Sequence, residues 1–277
     1  MDALTRRVLL RTQARPSGLR ARLGWLAAAY GGHLLAAAVA LYALYAASTL
    51  GFTAERFVRG LEHGGAFLGR LFPPDFATRW DDIRHDMLES LQIAVIASIV
   101  GIALALPLGL LAARNLMPAW VSWPARVAIS LARSFHPVIV GILFVKAIGF
   151  GALAGVLTLV VASVGFIGKL FSEAIEEIAL GPLEAVRAAG APFPSVIVFG
   201  VLPQVVPRFV GFGMYQFDSN LRNSTILGIV GAGGIGGTLL PAFQRFDYPI
   251  VCAIVMVMIA AIMAGELLSE QVRKVFE

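Results

Sequence analysis

Long apolar runs, separated by short polar segments, dominate this chain of 277 residues. Hydrophobic residues make up 58% of the sequence and charged residues only 14%, whereas soluble domains are about 45–50% apolar. Each run is close to the ~20 residues that an α-helix needs to cross a bilayer, and a β-barrel would instead show short alternating strands. The chain is therefore predicted to be an all-α integral membrane protein embedded in a lipid bilayer.

The apolar runs predict about six transmembrane helices. They cover residues 25–50, 88–113, 127–148, 153–171, 205–230 and 248–268. The longest segments between them are 51–87 and 172–204, and neither indicates a separate soluble domain. We therefore predict a basic N-terminal segment at 1–24, followed by a single membrane domain at 25–277.

The N-terminal segment sets the predicted orientation. Six arginines precede the first run, with a single acid, Asp2, among them, and cytoplasmic flanks of membrane helices are enriched in positive charge. This places the N-terminus in the cytoplasm. A cleaved signal peptide is the alternative, but the first apolar run is longer than the about 7–15 residues of a signal-peptide core. Because the topology signal accounts for much of the net charge of +5, no nucleic-acid partner is expected.

A short polar helix is predicted within the segment 172–204. Pro182 fits the first position of such a helix, and Gly190 fits the left-handed position just after its end. A polar helix between two membrane spans lies in water at the surface, where another protein can contact it. We therefore predict a cytoplasmic coupling helix here.

The spacing of Glu184, Ala185 and Gly190 from the later Leu202 and Pro203 resembles the EAA loop of ABC-importer permeases. In that family the loop forms the helix that binds the ATPase subunit. The third alanine of the pattern is replaced by Val186, and its usual isoleucine by Gly200. The resemblance implies ATPase-coupling roles for Glu184, Ala185, Arg187 and Gly190.

A group of polar residues interrupts the fifth apolar run and is the best candidate for a transport pathway. Its members are Asp218, Asn220, Arg222, Asn223, Ser224 and Thr225. Charged groups in a bilayer are costly unless they are paired or face water, so these should point into the helix bundle. Asp218 and Arg222 are four residues apart and can pair on one helical face, which leaves a purely structural ion pair as the alternative. Arg133 and Lys146, in the third run, either reach the membrane interfaces or add positive charge to the pathway.

The glycine-rich segment 231–236 predicts a sharp bend or re-entrant segment at the outer mouth. It matches the dinucleotide-binding pattern of glycines, but that pattern is meaningful only between a strand and a helix, and here a membrane span precedes it. Glycines allow a tight bend and close approach to neighbouring backbone. We predict that Gly231, Gly233, Gly234 and Gly236 form a gate.

Catalytic and metal-binding patterns find no support in the sequence. The histidines at positions 33, 63, 85 and 136 are far apart and have no metal-ligand spacing. No phosphate-binding loop of the Walker type is present. The chain is predicted to be a transport subunit without cofactor or metal, and ATP hydrolysis is expected on a separate chain.

Several longer motifs resemble the permease of phosphonate ABC transporters. They lie at residues 134–138, 168–177, 181–190 and 217–236. The glycine segment and Gln244–Phe246 also resemble methionine-type importer permeases, so these motifs alone indicate only the wider permease class. The first 85 or so residues contribute little to the resemblance.

The resemblance implies a homodimer of this chain, two cytoplasmic ABC ATPase subunits and a periplasmic substrate-binding protein. ATP-driven closure of the ATPases would move the coupling helix and switch the pathway between inward- and outward-facing forms. The alternatives are an ABC permease for another solute, such as phosphate, phosphite or methionine, and an ATPase-independent secondary transporter or channel. A membrane-embedded enzyme is the least favoured alternative.

Overall fold

The computed structural model describes residues 19–51 and 53–276, with side chains described outside residues 19–31, 34, 275 and 276. Most of the predicted N-terminal segment 1–24 therefore lies outside the described residues. Within the described ranges the regular secondary structure is helical and contains no strand, which confirms the predicted all-α fold class.

The helices follow one another through short connections. In chain order they are α1 (Leu19–Thr49), α2 (Ala54–Leu71), α3 (Trp80–Ala112), α4 (Ala119–Ser134), α5 (Pro137–Ile148), α6 (Ala152–Glu176), α7 (Leu180–Ala188), α8 (Leu202–Leu227), α9 (Gly236–Gln244) and α10 (Tyr248–Phe276). A helical turn at Phe193–Ser195 and a π-helical segment at Val196–Val201 lead directly into α8. A 3-10 turn at Gly228–Val230 follows α8.

Several helices are long enough to cross a membrane. Among the described residues, 4 helical stretches are long and apolar enough to cross a membrane: Trp80–Ala112, Ala152–Glu176, Phe193–Val230 and Tyr248–Lys274. Two bent pairs, α1 with α2 and α4 with α5, bring the number to as many as 6 if each pair forms one span. The predicted number of about six agrees with this upper figure.

The third predicted span, 127–148, is not one continuous helix, and that prediction is wrong. α4 and α5 meet at an angle of 90°. Proline disfavours the helical conformation at the residue before it, and His136, which precedes Pro137, is extended with ψ 140°. Pro137 is then the first residue of α5, where its missing N–H costs nothing.

The fifth span begins earlier than predicted. Helical structure extends from Phe193 through Val230, whereas the sequence predicted 205–230. Pro194 lies in the first turn of this helix, where a proline is tolerated. Since α6 also continues to Glu176, the predicted coupling loop at 172–204 is reduced to the residues between Glu176 and Phe193.

The structure divides into two compact units, one ending at Leu68 and the other beginning at Gly69. In the second unit α3 packs along α6, and α8 packs against both of them. Their shared interior holds Ile93, Ala97, Leu159 and Leu227, all of them buried. The polar residues predicted to form a pathway thus lie on a helix that is packed into the centre of this unit.

The connection between α2 and α3 is fixed by Asp75. Its carboxylate accepts hydrogen bonds from the hydroxyl of Thr78 and from the backbone N–H groups of Thr78 and Ala77. The hydrogen bonds from Thr78, followed by that from Ala77, hold the pKa of Asp75 below its usual value. The backbone N–H of Asp75 donates to the carbonyl of Pro249 at 3.1 Å, which joins this connection to the start of α10.

Candidate functional site

The polar residues predicted to line a pathway lie on α8 and face in two directions. Asn220, Ser224 and Thr225 are buried against other helices or within their own helix. Arg222 is exposed, and Asp218, although buried, lies beside it. The sequence placed all of these residues in one group, and the structure separates an interior set from a set on an open face.

Asn220 belongs to a hydrogen-bond network in the interior. Its side-chain N–H groups donate to Ser98 Oγ on α3 and Ser163 Oγ on α6, both at 2.9 Å. Its side-chain oxygen accepts from Gln216 at 2.9 Å, and Gln216 also donates to Ser163 Oγ at 2.9 Å. All four side chains are buried. In this conformation Asn220 therefore joins three helices, and its role in a pathway stays a prediction.

The hydroxyl groups of the interior set are satisfied within α8 itself. Ser224 Oγ donates to the carbonyl of Leu221 at 2.8 Å, and Thr225 Oγ1 donates to the carbonyl of Arg222 at 2.6 Å. Hydroxyl-to-carbonyl bonds of this kind are a common way to bury serine and threonine in helices. The half-buried Asn223 makes one longer bond, to Ser219 Oγ at 3.4 Å.

Arg222 is the cation of the open face and contacts two carboxylates. Its Nη2 donates to Asp218 Oδ2 at 2.7 Å, so the contact that the spacing predicted is present. Its Nη1 is 3.4 Å from Glu266 Oε1 on α10. Glu266 was not among the predicted site residues, because nothing in its local sequence connects it to α8.

These charges border an open pocket of about 430 Å³ between α8 and α10. Its lining comprises Met214, Tyr215, Asp218, Arg222, Met263, Glu266, Leu267, Ser269, Glu270 and Arg273. Within the described residues, Asp218 Oδ1 and Ser269 Oγ are buried and have no hydrogen-bond partner. The pocket therefore combines charged groups with an apolar wall.

The position of the pocket along the bundle follows from the interior network. Asn220 is bonded to Ser98, which lies near the middle of α3. Asp218 and Arg222 are within one helical turn of Asn220 and so lie at a similar depth. A lone charge at the centre of a bilayer costs about 2.5–3.5 kcal/mol on insertion scales, so an arginine there is normally paired or faces water.

The basic residues considered in the third apolar run are exposed in this chain. Arg133 lies at the end of α4 and Lys146 at the end of α5. His136 lies between these helices and accepts a hydrogen bond from the backbone N–H of Val138 at 3.3 Å. A contribution of Arg133 and Lys146 to a pathway stays a prediction.

The glycine segment forms the sharp bend that the sequence predicted. Gly231, Gly233 and Gly234 have φ angles of 85°, 80° and 83°, in the left-handed region that favours glycine. Two residues of α3 fix the bend: Glu89 Oε2 accepts from the N–H of Gly234 at 3.0 Å, and Ser90 Oγ accepts from that of Ile235 at 2.9 Å. The role of the bend as a gate stays a prediction.

A group near this bend has the residue types of a metal site. His85, Asp86 and Glu89 each offer a ligand atom, and these atoms lie within 4.8 Å of one another. Both carboxylates already accept hydrogen bonds, Asp86 from Thr238 and Glu89 from Gly234. The histidine positions alone did not indicate this group, because its other members are acids.

The predicted coupling helix α7 has charged residues exposed to solvent and a buried leucine. Glu184, Ala185 and Arg187 are exposed, whereas Leu183 is only 1% exposed and packs in a cluster that includes Val196 and Val201. Gly190 follows the helix with φ 74°, as predicted. The helix begins at Leu180, so Pro182 occupies its third position and not the first, still within the turn whose N–H groups have no intrahelical partner.

Gln204 links α7 to the membrane helix α8. Its Oε1 accepts from the backbone N–H of Ala179, the residue before α7, at 3.0 Å. Its Nε2 donates to the carbonyl of Gly200 at 2.7 Å, within the π-helical segment. Pro203 lies immediately after this segment, and its missing N–H and bulky ring disfavour regular α-helical bonding to the preceding turn. Sequence reasoning missed Gln204 because its partner is 25 positions away.

The glutamates after the fourth span pair with basic residues. Glu173 pairs with Lys169 at 2.6 Å and Glu177 with Arg208 at 2.9 Å. Glu176 pairs with Arg126 and also accepts from the backbone N–H of Arg114 at 2.7 Å. These contacts hold the ends of α3 and α6 together near α7. The glycine bend contacts the first part of α3, so the bend and this group of ion pairs are separated by roughly 35 Å along α3.

Residues 105–277 match the family described as the binding-protein-dependent transport system inner membrane component. The chain belongs to this family. It is the permease component of an ABC importer, and the predicted ABC-importer permease fold is confirmed.

Two curated relatives have names that refer to phosphorus oxyanions. The permease is 42% identical over 205 residues to the phosphate-import permease protein PhnE of Mycolicibacterium smegmatis. The matched region covers 74% of this chain and 38% of that protein. It is 39% identical over 225 residues to the phosphite transport system permease protein PtxC of Stutzerimonas stutzeri, which covers 81% of this chain and 82% of that one. The permease thus spans about two fifths of the first relative's length and about four fifths of the second's. The predicted resemblance to permeases of this type is confirmed.

The fold is shared with a solved importer. The inward-facing methionine ABC transporter MetNI matches with a TM-score of 0.62 over 70% of the permease and 96% of the solved chain. Because the sequences are only 21% identical, this likeness concerns the fold alone.

Proposed function

We propose that this permease imports phosphonate or a related small phosphorus oxyanion by alternating access. The observation that carries the proposal is Arg222, a guanidinium held at mid-depth of the bundle on the open face of α8. Guanidinium groups bind phosphorus oxyanions through paired, charge-assisted hydrogen bonds. The names of the phosphate-import and phosphite-transport relatives favour the same class of solute.

The proposal includes the partners that the family requires. Two cytoplasmic ABC ATPase subunits bind α7 and hydrolyse ATP, a second copy of the permease completes the pathway, and a periplasmic binding protein delivers the solute. Residues 25–277 form one membrane domain in the bacterial inner membrane, and the basic segment 1–24 is cytoplasmic. The exposed charges of α7 and its buried Leu183 support this use of α7, because they combine an accessible surface with a fixed base.

The test is uptake by proteoliposomes that contain the permease, its genomic-neighbour ATPase and the binding protein. Methylphosphonate, phosphite, phosphate and methionine are compared as solutes, each with and without ATP. We expect Arg222→Met to abolish oxyanion uptake while the complex with the ATPase stays intact. Arg84→Met removes an exposed arginine of α3 outside the pocket and should leave uptake unchanged.

Normal uptake in the Arg222→Met permease would overturn the assignment of the pathway. ATP-independent uptake by the wild type would instead favour the secondary-transporter alternative. Uptake of methionine in preference to every oxyanion would assign the permease to another solute class.

A further inference from the structure

The two carboxylates beside Arg222 hold it unequally. Asp218 is 2.7 Å away on the same helix, and its side chain is 10% exposed. Glu266 is 3.4 Å away on a different helix, and its side chain is 57% exposed. Asp218 therefore makes a short contact from a largely buried position, whereas Glu266 makes a longer contact from an exposed position.

The formal charges of these three groups leave a net negative site. One guanidinium faces two carboxylates, so an oxyanion that approached all three together would meet charge of its own sign. The oxyanion binds Arg222 more favourably once a carboxylate has left, because the repulsion falls and an N–H donor is freed. The extra negative charge comes from Glu266 and is not visible from α8 alone, where Asp218 and Arg222 cancel.

We propose that Glu266 occupies the position of the transported oxyanion on Arg222 and thereby sets how tightly the pathway binds it. This inference rests on the proposed function. When the oxyanion arrives, it replaces Glu266 at Nη1 while Asp218 keeps its bond to Nη2. The guanidinium stays paired throughout the exchange, and the released Glu266 carboxylate is already more than half exposed, so it is not left in an apolar interior.

Glu266 is suited to this exchange, and Asp218 is not. Asp218 is held four residues before Arg222 on the same helix, and its own surface is only 7% exposed. Glu266 belongs to α10 and is more than half exposed, so it can move away without disturbing α8. Arg273 lines the same pocket two helical turns further along α10, on the same face as Glu266.

A resident carboxylate also gives the site a means of discrimination. A solute that carries only a carboxylate forms no better contact with Arg222 than Glu266 already provides. A phosphorus oxyanion has more acceptor oxygens and a higher charge, so it competes more strongly for the guanidinium. Specificity then comes from the competitor within the site as well as from the attraction to the solute.

The experiment measures binding without the binding protein, so that the permease itself is observed. Permease and ATPase are assembled in nanodiscs, and equilibrium binding of radiolabelled methylphosphonate and acetate is compared for the wild type and Glu266→Gln. We expect Glu266→Gln to bind methylphosphonate more tightly, on the order of tenfold, and to gain measurable affinity for acetate. Tighter binding is a gain that damage to the fold does not produce. Unchanged or weaker binding of methylphosphonate would overturn the inference.

Glu173→Gln is the matched control. Glu173 lies on α6 and pairs with Lys169 at 2.6 Å, and it does not line the pocket. Its substitution removes the same charge and should leave both affinities unchanged. Equal tightening in the two variants would mean a general charge effect and would overturn the role of Glu266.

Arg222→Met in the same assay distinguishes failure of the inference on Glu266 from failure of the proposed function. Loss of methylphosphonate binding in Arg222→Met, together with no change in Glu266→Gln, would overturn the inference and leave the proposed function standing. Normal binding in Arg222→Met would overturn the proposed function itself.

Discussion

Single residues of α8 show why polarity in a membrane helix does not by itself identify a pathway. Asn220 and Arg222 are two positions apart, yet one is buried in a network and the other is exposed beside a pocket. Buried amides in a bundle require hydrogen-bond partners on neighbouring helices, and Asn220 has them on α3 and α6. Asn220 should therefore contribute to the stability of the protein.

Asn220→Ala tests that role. The loss of the Asn220 amide leaves Ser98, Ser163 and Gln216 without a shared partner. We therefore expect the free energy of unfolding to fall by about 1–2 kcal/mol. A thermal melt can follow this through a thiol-reactive dye, because the single cysteine, Cys252, is buried in α10. Asn223→Ala is the matched control, since Asn223 makes only one bond of 3.4 Å. Equal melting temperatures for the two variants would contradict the structural role of Asn220.

Residue-scale prediction from the sequence succeeded where the partner is close along the chain. The Asp218–Arg222 contact follows from helical spacing, and the structure contains it. Glu266 is 44 positions from Arg222, and Ser98 is 122 positions from Asn220. Such pairs depend on how α3, α8 and α10 are arranged in space, which local patterns do not contain.

At the scale of helices, α7 is defined by a buried anchor and a terminating glycine. Leu183 fixes the helix to the cluster beneath it, and Gly190 turns the chain in a conformation that other residues adopt only with strain. The contact of Gln204 with the backbone of Ala179 then connects the start of α7 with the foot of α8. The start of α7 is therefore joined to α8 by the Gln204 side chain as well as through the chain.

Gly190→Ala tests the importance of this ending. A Cβ meets no neighbouring atom there, so the cost comes from the positive φ and should be about 1–2 kcal/mol. We expect association of the permease with its ATPase to weaken by roughly five- to thirtyfold in a titration of detergent-solubilised subunits. Gly181→Ala, within α7, also meets no neighbouring atom but lacks the positive φ, and it should bind normally. Similar losses in both variants would assign the effect to the added methyl group.

Helices were predicted well where an apolar run and a helix coincide, and poorly where a helix breaks inside a run. The run 153–171 corresponds to α6, whereas the run 127–148 contains the right angle between α4 and α5. Pro137 was visible in the sequence, but most residues of the run on both sides of it are apolar, so hydropathy alone continues through the break. The sequence also placed the start of the fifth span at residue 205, whereas the helix begins at Phe193, with Pro194 in a first turn that tolerates proline.

At the scale of the whole molecule, the glycine bend and α7 lie towards opposite ends of α3. The glycine bend contacts the first part of α3, and Leu183 of α7 packs in the same cluster as Ala113, the residue that follows α3. The arginine-rich N-terminus predicts that the end with α7 is cytoplasmic, and the proposed docking of ATPases on α7 requires the same. The number of spans and their order were accessible from composition, because they follow from lengths of apolar sequence, whereas the pocket between α8 and α10 arises only when the bundle is assembled.

Cysteine labelling tests the predicted orientation. In a Cys252→Ser background, which removes the only native thiol, a cysteine is placed at Glu184 or at Phe150, which is 86% exposed in the turn before α6. We expect a membrane-impermeant maleimide to label the Phe150 position in intact spheroplasts and the Glu184 position only in inverted vesicles. The reversed pattern, or labelling of both positions from one side, would contradict the orientation.

The π-helical segment at Val196–Val201 has a mechanical consequence. Each of its hydrogen bonds closes over five residues, so it contains surplus chain relative to an α-helix with the same number of turns. That surplus lies directly between the coupling helix and the helix that carries Arg222. Re-registration of a few carbonyls in this segment would therefore let the start of α8 rotate without breaking the backbone hydrogen bonds of the rest of the helix.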